Sequence, residues 1–172
     1  MRVSLRPQTV EDLPLLSANG NADFNDFGPR ARPASPPPPS LDDDGALTVL
    51  ADGAVAGAVS WHWRQWGPNR ASSCPMIGIS IRPEHRGRGI GTAAQRQLAQ
   101  LFFSQTSAHR VEAHTDVENI AEQRALKAAG FEREGILRGG QCRNGAYHDG
   151  YLYSVLRDPA GEVSRAVPEP GP

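Results

Sequence analysis

"IRPEHRGRGIGTAAQRQLAQLFF", residues 81 to 103, joins an apolar run, "PMIGISI" at residues 75 to 81, to an amphipathic run, and between them it gathers Arg82, Arg86 and Arg88 with Gly87, Gly89 and Gly91. This predicts a strand ending at Ile81, a tight turn, and a helix beginning near Gly89. The backbone N–H groups from Arg88 to Thr92 then point into one small volume with no partners inside the helix. The positive end of the helix dipole lies at the same place, so the turn is a site for phosphate oxygens. Glycine at 87, 89 and 91 lets the backbone approach such an anion without a Cβ in the way. Arg86 and Arg88 can add charge-assisted hydrogen bonds. A diphosphate fits best.

Glycine-rich turns serve several nucleotide folds, and spacing separates them. The Gly-Lys-Ser/Thr of a P-loop is absent, and "GRGIGT" does not match the dinucleotide pattern G-x-G-x-x-G. The pattern present is R-x-x-G-x-G, at Arg86, Gly89 and Gly91, following a strand and "RPEHR".

Outward from this hinge, "VSLRPQTVEDLPLLSA" opens with a short alternating strand, then Thr9 and Asp12 in the spacing of a helix start. "ALTVLADGAVAGAVSWHWRQW" reads as two strands around the turn-forming pair Asp52-Gly53. "PMIGISI" reads as a strand buried on both sides. The helix after the hinge places Ala93, Leu98, Leu101 and Phe102 on one face. "HRVEAHTDV" is another strand, "NIAEQRALKAAGF" a helix stopped by Gly130, and "YHDGYLYSVLR" a last strand. The order predicts an α/β (α+β) fold, a mixed sheet with helices on its faces. Residues 28–44, "GPRARPASPPPPSLDDD", cannot continue a helix or strand through four consecutive prolines and read as a loop or flap. Residues 158–172 read as a frayed tail.

The chain has 172 residues, the size of one domain, expected over residues 1–157. Its formal charge of -1 supplies no basic field for nucleic acid or an anionic membrane, so an anion must be bound locally. Cys74 and Cys142 lack the spacing of a zinc or redox motif, and no metal is expected. No apolar run approaches the ~18 residues of a membrane span, which predicts a cytoplasmic protein. Lys127 is the only lysine among 18 basic residues, a bias that points to a GC-rich bacterial genome.

The R-x-x-G-x-G turn, the strand "HRVEAHT" and the downstream "DVENIAEQRALKAAGF" together resemble the GCN5-related N-acetyltransferase (GNAT) superfamily, over about Val3 to Arg157. The closer likeness is to its branch of ribosomal-protein and other N-terminal amine acetyltransferases, with some antibiotic-modifying relatives. The resemblance implies acetyl-coenzyme A as co-substrate and a mostly antiparallel sheet splayed between the strands that flank the coenzyme loop. Arg86, Gly87, Arg88, Gly89, Ile90, Gly91 and Thr92 would hold the pyrophosphate. Ile79, Ser80 and Ile81 would pair with the pantetheine arm as with an added strand. Asn119 matches an asparagine that contacts that arm; it also fits a plain helix N-cap, and the two roles can coexist. The implied partners are acetyl-coenzyme A and an amine acceptor, and a homodimer is compatible with the family.

The match departs at two positions. Leu126 stands where many members carry a tyrosine thought to protonate the leaving thiolate, and Glu122 where the branch often has serine. Loss of a proton from the amine calls for a base or a water relay. Glu112 and His114 share one face of "RVEAHT" and are the candidates, His114 titrating in the right range; each also fits a merely polar or ion-paired strand residue. Tyr151 and Tyr153 share a face and could supply an acid, or belong to the core. Trp61, Trp63 and Trp66 could line an acceptor pocket or pack against the first helix. A non-catalytic acyl-coenzyme A binding domain is the alternative reading.

Overall fold

The computed structural model describes residues 1–17, 24, 26–27, 35–37 and 40–158. Much of the proline-rich segment (residues 28–34, 38 and 39) and the tail from residue 159 lie outside the described residues. Alternating and β-branched runs form seven strands: β1 (Val3–Pro7), β2 (Gly45–Ala51), β3 (Ala54–Gln65), β4 (Ser73–Ile81), β5 (Arg110–Asp116), β6 (Glu132–Arg143) and β7 (Ala146–Leu156). Among the described residues, the helices that join them include α1 (Asp12–Ser17), α2 (Ile90–Gln105) and α3 (Ile120–Ala129). One sheet runs in the order β1-β2-β3-β4-β5-β7-β6. Its single parallel contact is β4 with β5, and every other neighbouring pair is antiparallel.

Two turns fix the hairpins. Asp52 and Gly53 both take positive φ, 50° and 86°, which matches the twist of β2 and β3. Asn144 and Gly145, at 50° and 74°, do the same for β6 and β7. The strand β6 is the element that the sequence pattern does not reveal. It is an edge strand, largely exposed over Glu132–Arg143, so "EREGILRGGQCR" carries no apolar alternation to mark it.

The core lies between the sheet and the pair α2 and α3, where Val49, Val59, Ile77, Leu98, Phe102, Val111, Leu126 and Tyr153 are buried. The buried face of α2 centres on Ala94, Leu98 and Phe102, while Ala93 and Leu101 flank it at its margins. Trp61 and Trp63 meet Phe102 edge to face, with ring centroids 5.5 and 6.0 Å apart. They therefore pack, but on the helix after the glycine turn and not on the first helix. Their indole N–H groups donate to the carbonyls of Asp43 (2.8 Å) and Leu41 (2.9 Å), pinning the end of the proline-rich segment to the sheet.

On the opposite face, α1 is tied down by Asp12. Its carboxylate accepts from Arg6, from the Thr9 N–H and from the buried Thr48 hydroxyl. The Arg6 bonds hold the Asp12 carboxyl well below the usual carboxylate range. Helices thus cover both faces. Among the described residues no helix is long and apolar enough to cross a membrane.

Candidate active site

β4 is hydrogen-bonded to β3 along its whole length, from Gln65↔Ser73 to Gly57↔Ile81. Its contact with β5 covers only Met76↔Glu112 and Ile77↔Ala113. Beyond that point the two strands part, and β5 continues beside β7 to Asp116. The expectation of a strand buried on both sides therefore holds only for Cys74–Ile77; Gly78 is exposed and Ile79, Ser80 and Ile81 are partly buried. The reason is the parting itself, which leaves one edge of this stretch with unpaired backbone groups. Such an edge is a template for an extended, amide-bearing chain.

The open edge runs directly into the glycine turn. Gly87 and Gly89 take φ of 70° and 74°, conformations that side chains resist, and no atom lies within 4 Å of where a Cβ would stand at either. Gly89 is the N-cap of α2, whose first internal bond runs from Ala93 N–H to Gly89 carbonyl at 3.1 Å. The N–H groups of Ile90, Gly91 and Thr92 are accordingly free of helix partners. Arg86 donates through Nε to the Ile81 carbonyl at 2.9 Å, locking the turn to the strand end. Arg88 is exposed beside it. The clear space, the converging donors and the guanidinium charge fit a diphosphate.

Asn119 is the N-cap of α3, its side-chain oxygen accepting from the Glu122 N–H at 3.2 Å. Its own N–H donates to the Asp116 carbonyl at 3.1 Å, so the start of α3 is fastened to the end of β5, across the gap from Ile79–Ile81.

Glu112 and His114 lie on the face of β5 opposite α2 and α3, but in unlike surroundings. Glu112 is fully buried, and one oxygen accepts from Trp66 Nε1 (2.7 Å) and Arg110 Nε (2.6 Å). Arg110 in turn pairs with Glu134, which accepts from Ser154. Beside this network, burial, with Glu112 adding to it, pushes the Cys74 thiol up to about 11. His114 has no ion pair. Its ring lies across Gly150, where an added Cβ would sit 1.8 Å from Nε2, so any larger residue there would force the ring to move. Nε2 is buried without a hydrogen-bond partner. Burial pushes the imidazole below its ordinary value, against a smaller opposing pull from Asp116. This favours its neutral form.

The sequence reading missed Gln95. It is a buried amide four residues after Gly91, the helical spacing that could have revealed it, and its Nε2 donates to the Gly91 carbonyl at 3.3 Å. Tyr153 is fully buried in the core and Tyr151 partly buried beneath the Arg133 guanidinium, 4.6 Å from its ring.

The family model for the acetyltransferase (GNAT) domain matches residues 2–132. The chain belongs to that family. It spans about half the length of the first curated relatives it matches, 45% and 57% of them. One of these is YdaF of Bacillus subtilis, whose given name proposes ribosomal N-acetyltransferase activity; it is 34% identical over 109 residues, covering 63% of this chain and 57% of YdaF. Among solved structures, this GNAT domain resembles the ribosomal-protein-S5-alanine acetyltransferase of Vibrio fischeri (TM-score 0.73, 18% identity, covering 92% of this chain and 95% of that one). It also resembles Mycobacterium smegmatis RimJ, solved with CoA-disulfide (TM-score 0.72, 21% identity, 95% and 91% covered). At these identities the two structures support the fold alone.

Proposed function

We propose that the protein is an N-acetyltransferase that moves acetyl from acetyl-coenzyme A to a primary amine, a small-molecule amine or a protein N-terminus, by direct attack in a ternary complex. The observation that carries this reading is the parting of β4 from β5 after Ile77, ending in a left-handed glycine turn. Arg86, Gly87, Arg88, Gly89, Ile90, Gly91 and Thr92 would hold the pyrophosphate, Ile79, Ser80 and Ile81 the pantetheine amides, and Asn119 the arm from the other side. When bound, acetyl-coenzyme A supplies an activated acyl group. His114 is the base in this reading, because burial favours its neutral form and it makes no ion pair, whereas Glu112 is held by Arg110 and Trp66 and serves to set the strand. We assign the enzyme to the cytoplasm of a bacterium, where that co-substrate is held and where its relatives come from; a homodimer is compatible with it.

Leu126, buried where many family members have tyrosine, favours a second reading, a domain that binds acyl-coenzyme A without turning it over. Thiol release measured over a panel of amines, with calorimetric titration of coenzyme A, separates the two. Binding with amine-dependent thiol release is expected. Binding with no release for any amine class would favour the second reading, and no binding would remove both.

A further inference from the structure

His114 stands at the first step beyond the closed ladder between β4 and β5. Met76 pairs with Glu112 and Ile77 with Ala113, so the next step of that register sets Gly78 opposite His114, and it is the first pair not made. Gly78 is exposed and puts no side chain on the floor of the sheet there. Its partner on β3 is Ser60, whose hydroxyl lies 3.2 Å from where a Cβ of Gly78 would stand. Toward β4 the imidazole therefore looks onto open space.

Toward β7 and β6 the ring is seated. A Cβ on Gly150 would stand 1.8 Å from Nε2, 2.4 Å from Cε1 and 2.8 Å from Cδ2, with Nδ1 farther off. Behind Gly150, β6 bulges: it takes four steps from Leu137 to Gln141 while β7 takes two, from Gly150 to His148. Gly139 adopts φ of 58° in the bulge and donates its N–H to the Asp149 carboxylate at 2.7 Å. This brings Gly140 to the ring, where a Cβ would stand 3.7 Å from Nε2. Such bulges re-aim what a strand presents to a site. Glycines of two strands thus close on one nitrogen. Nε2 is buried without a partner, whereas Nδ1 is not shut in and has no hydrogen bond among the described residues.

Each strand of this face sets its own charge toward the ring. Burial lowers the His114 pKa most, Asp116 on β5 opposes it, and Arg64 of β3 and Arg143 of β6 lower it further. Asp116 is itself paired with Arg143, and His148 of β7 turns Nδ1 to it at 3.9 Å. Glu112, two residues before His114 on β5, is taken up by Trp66 and Arg110. β4 presents only the uncharged Met76 and Gly78.

We infer that Gly150 and the β6 bulge at Gly139 and Gly140 are positioning residues for the base, and that Nδ1 of His114 is the nitrogen that takes the proton of the acceptor amine. The inference rests on the acetyl-transfer reading above. A neutral imidazole has one N–H and one lone pair. With Nε2 shut in by backbone, the lone pair that can meet an amine lying over Gly78 is that of Nδ1, and the resting proton stays on Nε2. The amine nitrogen bonds to the acetyl carbon as the carbon–sulfur bond breaks with its electron pair on sulfur. The surplus proton of the nitrogen passes to Nδ1 and from there to water, and the sulfur takes a proton from water. A side chain at position 150 would lift the ring from its seat and move Nδ1 with it.

The test joins ring NMR to the kinetics of Gly150→Ala. Nitrogen–proton correlation spectra of the histidine rings, with His114 identified by its loss in His114→Ala, should show the neutral ring of wild type protonated on Nε2 and bare at Nδ1. Gly150→Ala should bind coenzyme A within about twofold of wild type and turn over ~10-fold or more slowly. Its acidic limb should move up toward the ordinary histidine range together with the His114 titration seen by NMR, because the displaced ring loses burial. A neutral ring protonated on Nδ1 and bare at Nε2, or a folded Gly150→Ala with unchanged titration and turnover, would overturn the assignment. Should the variant not fold, the wild-type tautomer decides alone. The wrong tautomer with intact turnover removes this inference only, whereas failure of wild type to bind coenzyme A removes the acetyl-transfer reading and this one with it.

Discussion

The two halves of β4 make the informative contrast. At Met76 and Ile77 the strand has paired neighbours on both sides and its side chains are buried; from Gly78 to Ile81 it keeps β3 but loses β5 and becomes an edge. Both halves are built from strand-forming residues, and what separates them is pairing, not propensity. The closed half works for stability and the open half for binding. A soluble domain ordinarily blunts such an edge; here the edge is bounded by an anion-binding turn that gives it an occupant.

The contrast predicts that changes on the two sides separate cleanly. The largest effect is expected from Ile77→Ala in the closed half, which removes a side chain that is 4% exposed and should cost ~2–5 kcal/mol of stability while coenzyme A affinity hardly changes. Urea unfolding beside calorimetry checks it, and a tenfold loss of affinity at full stability would break the division. His114→Ala, at the mouth of the open half, should lower kcat/KM ~10²-fold, about 2.7 kcal/mol, with coenzyme affinity intact. Because burial lowers the His114 pKa, the acidic limb assigned to it should lie below the ordinary histidine range in wild type and shift or vanish in the variant. Superimposable pH profiles of equal height would leave His114 a structural residue. The smallest effect is expected from Gly91→Asp, which sets a carboxylate where the diphosphate should sit and should weaken coenzyme A more than tenfold, above ~1.4 kcal/mol. Gly91 has only ordinary contact distances around its missing Cβ, so the folded state should tolerate the change. Unchanged binding in the folded variant would remove the phosphate assignment.

Much of the open half was legible in the sequence. The spacing Arg86, Gly89, Gly91 and the transition from "PMIGISI" to an amphipathic helix are local signals, and the turn carries the left-handed glycines that this spacing requires. What was not legible depends on cross-strand register or on edges. The strand β6 escaped because an exposed edge strand needs no apolar stripe, although Asn144-Gly145 marked its turn. The glycine beneath His114 is 36 residues away along the chain, by difference from 114 to 150, and is brought there only by the Asp116↔Gly150 register. Trp61 and Trp63 were recognisable as alternating aromatics, but their target, Phe102, follows from how α2 crosses the sheet.

The bond from Trp66 to Glu112 gives the protein a built-in optical gauge. Trp61 is 3% exposed in a dry aromatic cluster, whereas Trp66 is 53% exposed, with the Arg64 guanidinium 4.3 Å above its ring and a carboxylate on its indole nitrogen. The two indoles therefore emit from unlike surroundings, blue-shifted for the first and red-shifted for the second. The red component reports on the point where β4 and β5 separate, since Glu112 is the β5 residue of the Met76↔Glu112 pair. An unlabelled sample carries its own fluorescence signal for whether that junction tightens or loosens when the gap is filled.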